Sequence, residues 1–176
     1  MDVQLNNILK MTDKELMQKV VKGWRSQETP CGSGSEVRHT INVRQSLLEI
    51  VEKYNIKTVV DAGAGDLNWM KYMDWDVDYK GYDLYPRHDS VKQFDLTKEI
   101  LPESDLILCR HVINHLSYDY AQRCIDNFKK SGSKYLAVTN CDQQRNWWQI
   151  KGLELIETFL DFDHKRNNWC LEIYKL

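Results

Sequence analysis

Between residues 55 and 140 the chain repeats one pattern: a short apolar run ends on a polar residue and gives way to a turn or a helical stretch. The runs "IKTVVDA", "DYKGYDL", "SVKQFDL", "SDLILCR" and "KYLAVTN" read as strands, and "SDLILCR" is apolar enough for a central strand covered on both faces. Strands that alternate with helical segments predict a mostly parallel sheet with helices on both sides. The last two apolar segments, "LELIETFLDF" and "NWCLEIYKL", are parted by "DHKRN" and predict a closing antiparallel hairpin. The expectation is an α/β, Rossmann-like fold with a seven-stranded sheet, and 176 residues suit a single domain.

The helical segments carry their own signals. Thr12 followed by Glu15 is a capping-box pattern for a helix to about Arg25, with Leu16, Met17, Val20, Val21 and Trp24 as its apolar side. A second helix is expected from about Thr40 to Tyr54, facing inward through Leu47, Leu48, Val51 and Tyr54 and stopping at Asn55. "LNWMKYM" reads as a short helix. Ser117 is expected to cap a helix through Lys130 whose inner face holds Ala121, Cys124, Ile125 and Phe128. Between the first two helices, "QETPCGSGSEV" is a loop, either a linker or a flap over a ligand. Residues 1–55 are thus read as a helical cap and pocket-covering loop on one domain spanning 1–176.

Charge and cysteine content narrow the function classes. Twenty-four Lys plus Arg against 26 Asp plus Glu leave a formal charge of −2, so no global field favours a nucleic-acid backbone or an anionic membrane. Five cysteines, at 31, 109, 124, 141 and 170, form no close pair and fit a reducing, cytoplasmic setting better than a disulfide scaffold. No apolar run approaches the roughly 20 residues that span a bilayer.

The chemistry gathers at the predicted strand ends. Asp61 closes the first strand, and Gly63 with Gly65 would let the backbone run close to a bound molecule. "GAGDLN" lacks the third glycine of a dinucleotide fingerprint, and Asp66 would repel a pyrophosphate there, which favours a cationic ligand. Asp83, in "GYDLYP", is placed to accept hydrogen bonds from both hydroxyls of a ribose. Asp95 in "QFDLTKE" is suited to an adenine amino group, with Leu96 beside it. Asp83 has the plain alternative of a solvated loop acid, and the glycine pair that of a tight loop with no ligand.

"VVDAGAGDLNW", "GYDLYP", "FDLTKE" and "SDLILCRHVINHLS" together resemble the motifs of class I S-adenosylmethionine-dependent methyltransferases, over about residues 31 to 140. The first two helices and "GSGSEVRHTINVRQ" resemble the N-terminal part of a shortened bacterial and viral branch. The resemblance implies S-adenosyl-L-methionine as cofactor. It also implies Asp61, Gly63 and Gly65 along the cofactor's amino-acid and sugar portion, Asp83 at the ribose, and Asp95 and Leu96 at the adenine, with Leu84 also among the cofactor-binding residues. Asp66 belongs to the same glycine loop. By the same resemblance Arg110 lies near the methionine end, Arg44 reaches the cofactor carboxylate, and residues 33–40 cover the pocket.

A sulfonium already carries an electrophilic methyl group, so neither a metal nor a covalent enzyme intermediate is expected. Trp69 is a candidate aromatic wall for the positive sulfur, with ordinary core packing as its alternative. His111 and His115 lie four apart, on one face if their loop is helical, and either would serve as general base or simply as a packing residue. His115 is favoured because the loop's end would project farther toward an acceptor. "HVINH" carries Val112 where a zinc helix needs glutamate. Arg145, Trp147 and Trp148 suit edge packing, small-molecule recognition or nucleobase stacking.

No "NPPY", "DPPY" or "PCQ" motif is present, which weighs against a nucleobase methyltransferase, and Cys109 reads as buried. The expected function is methyl transfer to a small or terminal polar acceptor, with RNA or protein acceptors open and no membrane partner. The alternatives are a non-catalytic cofactor-binding protein and a lyase or hydrolase of the sulfonium compound.

Overall fold

The computed structural model describes residues 13–24, 26–141, 150, 152–164 and 167–176. Seven strands form one sheet: β1 (Thr58–Ala62), β2 (Asp78–Asp83), β3 (Val91–Gln93), β4 (Leu106–Cys109), β5 (Tyr135–Cys141), β6 (Glu154–His164) and β7 (Asn167–Lys175). Their order is β3-β2-β1-β4-β5-β7-β6. The first five strands pair in parallel, and β7 runs antiparallel to both β5 and β6. The mostly parallel α/β sheet and its C-terminal hairpin are therefore as the sequence pattern predicts.

Each central strand feeds two cores, because successive side chains point to opposite faces. Val60, Ala62, Ile107, Cys109, Leu136 and Val138 pack on one face against Ala121, Cys124, Ile125 and Phe128 of α3 (Tyr118–Lys130). Val59, Leu106, Leu108 and Ala137 pack on the other against Val43, Leu47 and Ile50 of α2 (Ile41–Lys53). All four residues of β4 are fully buried, which explains why its sequence is a continuous apolar run rather than an alternating one.

The buried line of α2 is Val43, Ser46, Leu47 and Ile50, while Leu48, Val51 and Tyr54 are only partly buried. The helix stops where expected, since Asn55 turns to φ 50 and its neighbour Ile56 donates back to the Val51 carbonyl. Ser117 occupies the N-cap position of α3, but its side chain makes no capping hydrogen bond; its carbonyl accepts the Ala121 N–H to start the helix.

Three further elements differ from their sequence expectation. Helix α1 (Asp13–Lys22) ends before Arg25 because Gly23 adopts φ 88 and donates to the Lys19 carbonyl. The proposed Thr12–Glu15 capping box lies outside the described residues. Of the apolar side expected of α1, Val21 is half exposed, and Val20 and Trp24 face a cavity rather than the core. The segment "LNWMKYM" makes only a single 3-10 turn, Met70–Tyr72, after Leu67 enters a left-handed conformation at φ 56. Strand β3 stops at Gln93 because Asp95 diverts the chain into a side-chain turn, accepting the Thr97 N–H at 3.0 Å and its hydroxyl at 2.6 Å.

Candidate functional site

From β1 the chain passes to β2 and β3 on one side and returns to β4 on the other. The loops leaving β1 and β4 therefore diverge at the carboxyl edge of the sheet, where such folds leave a crevice. A cavity of about 180 Å3 sits there, bounded by the loops after β1, β2, β3 and β4 and by the N-terminal segment.

Its floor is the β1 loop. Gly63 has φ 111 and Gly65 φ 61, and both chain turns are tied to β2, Gly63 donating to the Tyr82 carbonyl at 2.7 Å. A Cβ on Gly63 would lie 2.1 Å from Val112 Cγ2, and one on Gly65 2.6 Å from Cys31 Sγ. Backbone conformation and close approach thus both demand glycine at these two positions.

Asp83, at the end of β2, faces the cavity with its carboxylate held by two backbone donors: the Gly65 N–H to Oδ2 at 2.9 Å and the Tyr85 N–H to Oδ1 at 2.8 Å. Burial raises its pKa, against the lowering effect of those two N–H groups. Leu84 and Leu96 supply apolar lining, and Asp95 lies beside them, engaged by Thr97 and by Lys98 at 2.8 Å.

The far end is built from the β4 loop. Arg110 is 7% exposed, and its guanidinium is ion-paired with Asp161: Nε donates to Asp161 Oδ1 at 2.8 Å, Nη2 lies 2.7 Å from the same oxygen, and Nη1 donates to the Gly34 carbonyl at 2.8 Å. His111 and His115 both line the cavity. Burial drives His111 down to about 3, with the Arg110 charge adding and Asp161 opposing; burial drives His115 down to about 4, with Lys19 adding. Both rings are therefore neutral at pH 7. They do not share a helical face, because His111 stands at φ 53 outside the 3-10 turn Ile113–His115.

The N-terminal segment closes the cavity from above. Arg87 Nη2 donates to the carbonyls of Val20 at 2.6 Å and Val21 at 3.2 Å, setting a cation against the C-terminal turn of α1. Thr29 donates its hydroxyl to Asp66 Oδ2 at 2.6 Å, and the Trp24 ring lies 4.7 Å from that of His115. Cys31 and Cys124 also face the space, and burial pushes both thiols up to about 12, so they present as neutral groups.

Of the residues singled out in the sequence, Gly63, Gly65, Asp83, Leu84, Asp95, Leu96, Arg110, His111 and His115 line this one cavity. Four others lie behind or beside its walls. Asp61 is 4% exposed and accepts the Tyr79 hydroxyl at 2.6 Å; burial pushes it up to about 7, while that hydroxyl opposes the shift. Asp66 is bound to Thr29 and to the Asn68 N–H. Trp69 belongs to the α2-side core, with the Arg110 guanidinium 5.4 Å from its ring centre. Arg44 bonds the carbonyls of Thr40, one turn back, and of Val37 in the preceding 3-10 turn, and lies over the Tyr72 ring. Residues Arg145, Trp147 and Trp148 lie outside the described residues.

Sequence reasoning missed Trp24, Arg87 and Asp161. Only Asp161 left a trace, as an acid within the alternating apolar pattern of "LELIETFLDF".

No protein-family model matches this sequence, and no curated protein matches it. Solved structures do. The N-methyltransferase NodS from Bradyrhizobium japonicum WM9, in complex with S-adenosyl-l-homocysteine, aligns over 98% of this chain and 96% of its own with a TM-score of 0.58 at 13% identity. This is the methyltransferase fold. Two more structures with that fold agree: the methyltransferase domain of bacterial CtHen1 (TM-score 0.59, 14% identity, 76% of this chain and 97% of that one) and magnesium protoporphyrin IX methyltransferase from Synechocystis PCC 6803 with bound SAM (TM-score 0.56, 14% identity, 100% and 98%). In the methyltransferase fold of this chain, no described helix is long and apolar enough to cross a membrane.

Proposed function

We propose that the protein binds S-adenosyl-L-methionine at the carboxyl edge of the sheet and transfers its methyl group to a small or terminal polar acceptor. The observation that carries this reading is a convergence on one cavity: a close-running glycine loop, a carboxylate held by two backbone donors and two neutral histidines.

The residues present fit the cofactor. Each Asp83 oxygen uses one lone pair on a backbone N–H, which leaves one on each oxygen for a vicinal diol. Leu84 and Leu96 offer apolar surface for a flat base, and Asp95 borders it. Gly63 and Gly65 present bare backbone to the cavity, with the side chains of Val112 and Cys31 packed close against them. Asp61 stands behind this wall, where a bound sulfonium would favour its ionised form, and Trp69 lies in the core behind it with the Arg110 guanidinium over its ring.

The bound cofactor would supply the electrophilic methyl group; the protein has to orient the acceptor, exclude water and take the acceptor's proton. His111 and His115, already neutral at pH 7, are in the form that accepts it. Arg110, locked to Asp161 and Gly34, holds the covering loop in place. Arg44 and Asp66 support that cover through their bonds to its backbone and to Thr29. On this reading, the described part of residues 1–55 contributes both a core helix and the cover to one domain.

The test is incubation with methyl-labelled S-adenosylmethionine and fractionated cell extract, with mass spectrometry of cofactor and products. A methylated product supports transfer. Retention of intact cofactor without product would indicate a binding protein, and cofactor breakdown without acceptor a lyase or hydrolase. In calorimetry, Asp83→Asn should weaken cofactor binding by roughly 10- to 100-fold, the equivalent of one charge-assisted hydrogen bond; unchanged affinity refutes the ribose role.

A further inference from the structure

Asp161 is completely buried in the edge strand β6, where an ionised carboxylate must be paired. The register between β6 and β7 slips between Leu160 and Phe162, which makes Asp161 the extra residue of a β-bulge. A bulge re-aims its side chain out of the regular alternation, and this one delivers the carboxylate to the ends of β4 and β5.

Three residues meet it there. Oδ1 accepts from Arg110 Nε at 2.8 Å and lies 2.7 Å from Nη2. Oδ2 accepts the Thr139 hydroxyl at 3.0 Å and stands 3.5 Å from His111 Nε2. Thr139 Oγ1 in turn accepts the His111 backbone N–H at 3.2 Å, anchoring the residue at its positive φ. The imidazole is flanked by Trp169, which packs edge-on at 4.8 Å, and by Gly34, where a Cβ would come within 3.3 Å of its Cδ2, while the ring still borders the cavity.

A neutral imidazole carries its proton on one nitrogen and a lone pair on the other. With Nε2 buried, without a hydrogen bond of its own and 3.5 Å from a carboxylate oxygen, a lone pair on that nitrogen would lie against negative charge, whereas an N–H would be attracted. The second oxygen, Oδ1, is taken up by Arg110, so the carboxylate cannot turn away.

We propose that Asp161 is a positioning residue that fixes His111 as the Nε2–H tautomer and leaves Nδ1 as the basic nitrogen for the acceptor's proton. The acid-and-histidine arrangement follows the general rule that a buried carboxylate sets the tautomer of a catalytic imidazole and stabilises the imidazolium that forms. It also offsets the Arg110 charge, which alone would oppose an imidazolium beside it. The chemical use of Nδ1 rests on the methyl-transfer reading; the tautomer itself does not.

The experiment is a long-range 15N–1H correlation spectrum of the 15N-histidine-labelled full chain at pH 7.5, with the His111 signals assigned from His111→Gln. Wild-type His111 should be the Nε2–H form alone. In Asp161→Asn the single amide oxygen is drawn to the Arg110 donors, which turns the amide NH2 toward His111 and should shift the ring to the Nδ1–H form. Thr139→Val removes a hydroxyl but keeps the carboxylate, so the ring should stay Nε2–H.

A wild-type Nδ1–H ring overturns the proposal even if Asp161→Asn fails to fold. So does an unchanged tautomer in a folded Asp161→Asn protein, or a switch in Thr139→Val, which would move the control to Thr139. Calorimetry with S-adenosylmethionine on the same samples separates the two readings, because a wild-type protein that does not bind it refutes methyl transfer while the tautomer result stands.

Discussion

Replacing Asp61 by asparagine removes a buried charge while keeping an oxygen for the Tyr79 hydroxyl, which approaches to 2.6 Å. Burial lifts the Asp61 carboxyl from 3.8 to about 7 in the folded protein, against the Tyr79 hydrogen bond. A raised folded-state pKa means that the fold binds this proton more tightly than the unfolded chain. The stabilising contribution is therefore complete below about pH 4 and is lost as pH rises toward 7. About 3 pKa units at about 1.4 kcal/mol each give a loss of roughly 4 kcal/mol across that window.

Asp61→Asn should abolish this loss. Near pH 4 the variant and the wild type should unfold at similar urea concentrations, and by pH 8 the variant should be the more stable by up to about 4 kcal/mol. The assay is urea unfolding at intervals from pH 4 to 8, read as the difference between the two curves. That difference cancels the opposite titration of His111 and His115, which both proteins share. A pH-independent difference would refute the reasoning, because it would mean that Asp61 ionises equally easily folded and unfolded. A variant that is more stable at neutral pH would also indicate that the native acid is retained for its charge beside the site, at a cost to stability.

His115 should act with the opposite sign. Burial pushes it down to about 4, so its contribution is complete above pH 6.5 and lost as pH falls toward 4; His115→Gln should remove up to about 3 kcal/mol of acid sensitivity, measured by the same unfolding series. Arg87→Ala removes the guanidinium that binds the Val20 and Val21 carbonyls, and amide exchange across residues 18–24 should quicken by about 5- to 10-fold, in keeping with loss of about 1 kcal/mol of hydrogen bonding. Exchange unchanged within that segment would show that α1 is held by other contacts.

The strands and the floor of the cavity were legible because their causes are local. "SDLILCR" can only be buried on both faces, and Gly63 and Gly65 mark a loop that must turn tightly after a strand. Asp83 and Leu84, then Asp95 and Leu96, sit at strand ends, and a parallel sheet brings successive strand ends to one edge whatever lies between them.

Other residues carried the right chemistry without a readable partner. Val20 and Trp24 have the spacing of a core stripe, and apolar character alone does not distinguish a core from a cavity wall. Asp66 looked like a ligand group but takes the hydroxyl of Thr29, 37 residues away. Arg44 reached for a ligand by analogy, yet its guanidinium bonds the backbone carbonyls of Thr40 and Val37.

The amino-acid sequence by itself determined the alternation of elements, the two-faced core and the glycine loop, because periodicity and backbone conformation act over a few residues. Only the tertiary structure decided which cation meets which acid. Arg110 and Asp161 are 51 residues apart, and they meet because a one-residue bulge in β6 turns a side chain toward the end of β4. Such pairing depends on register and direction in three dimensions, and no local pattern in the chain encodes it.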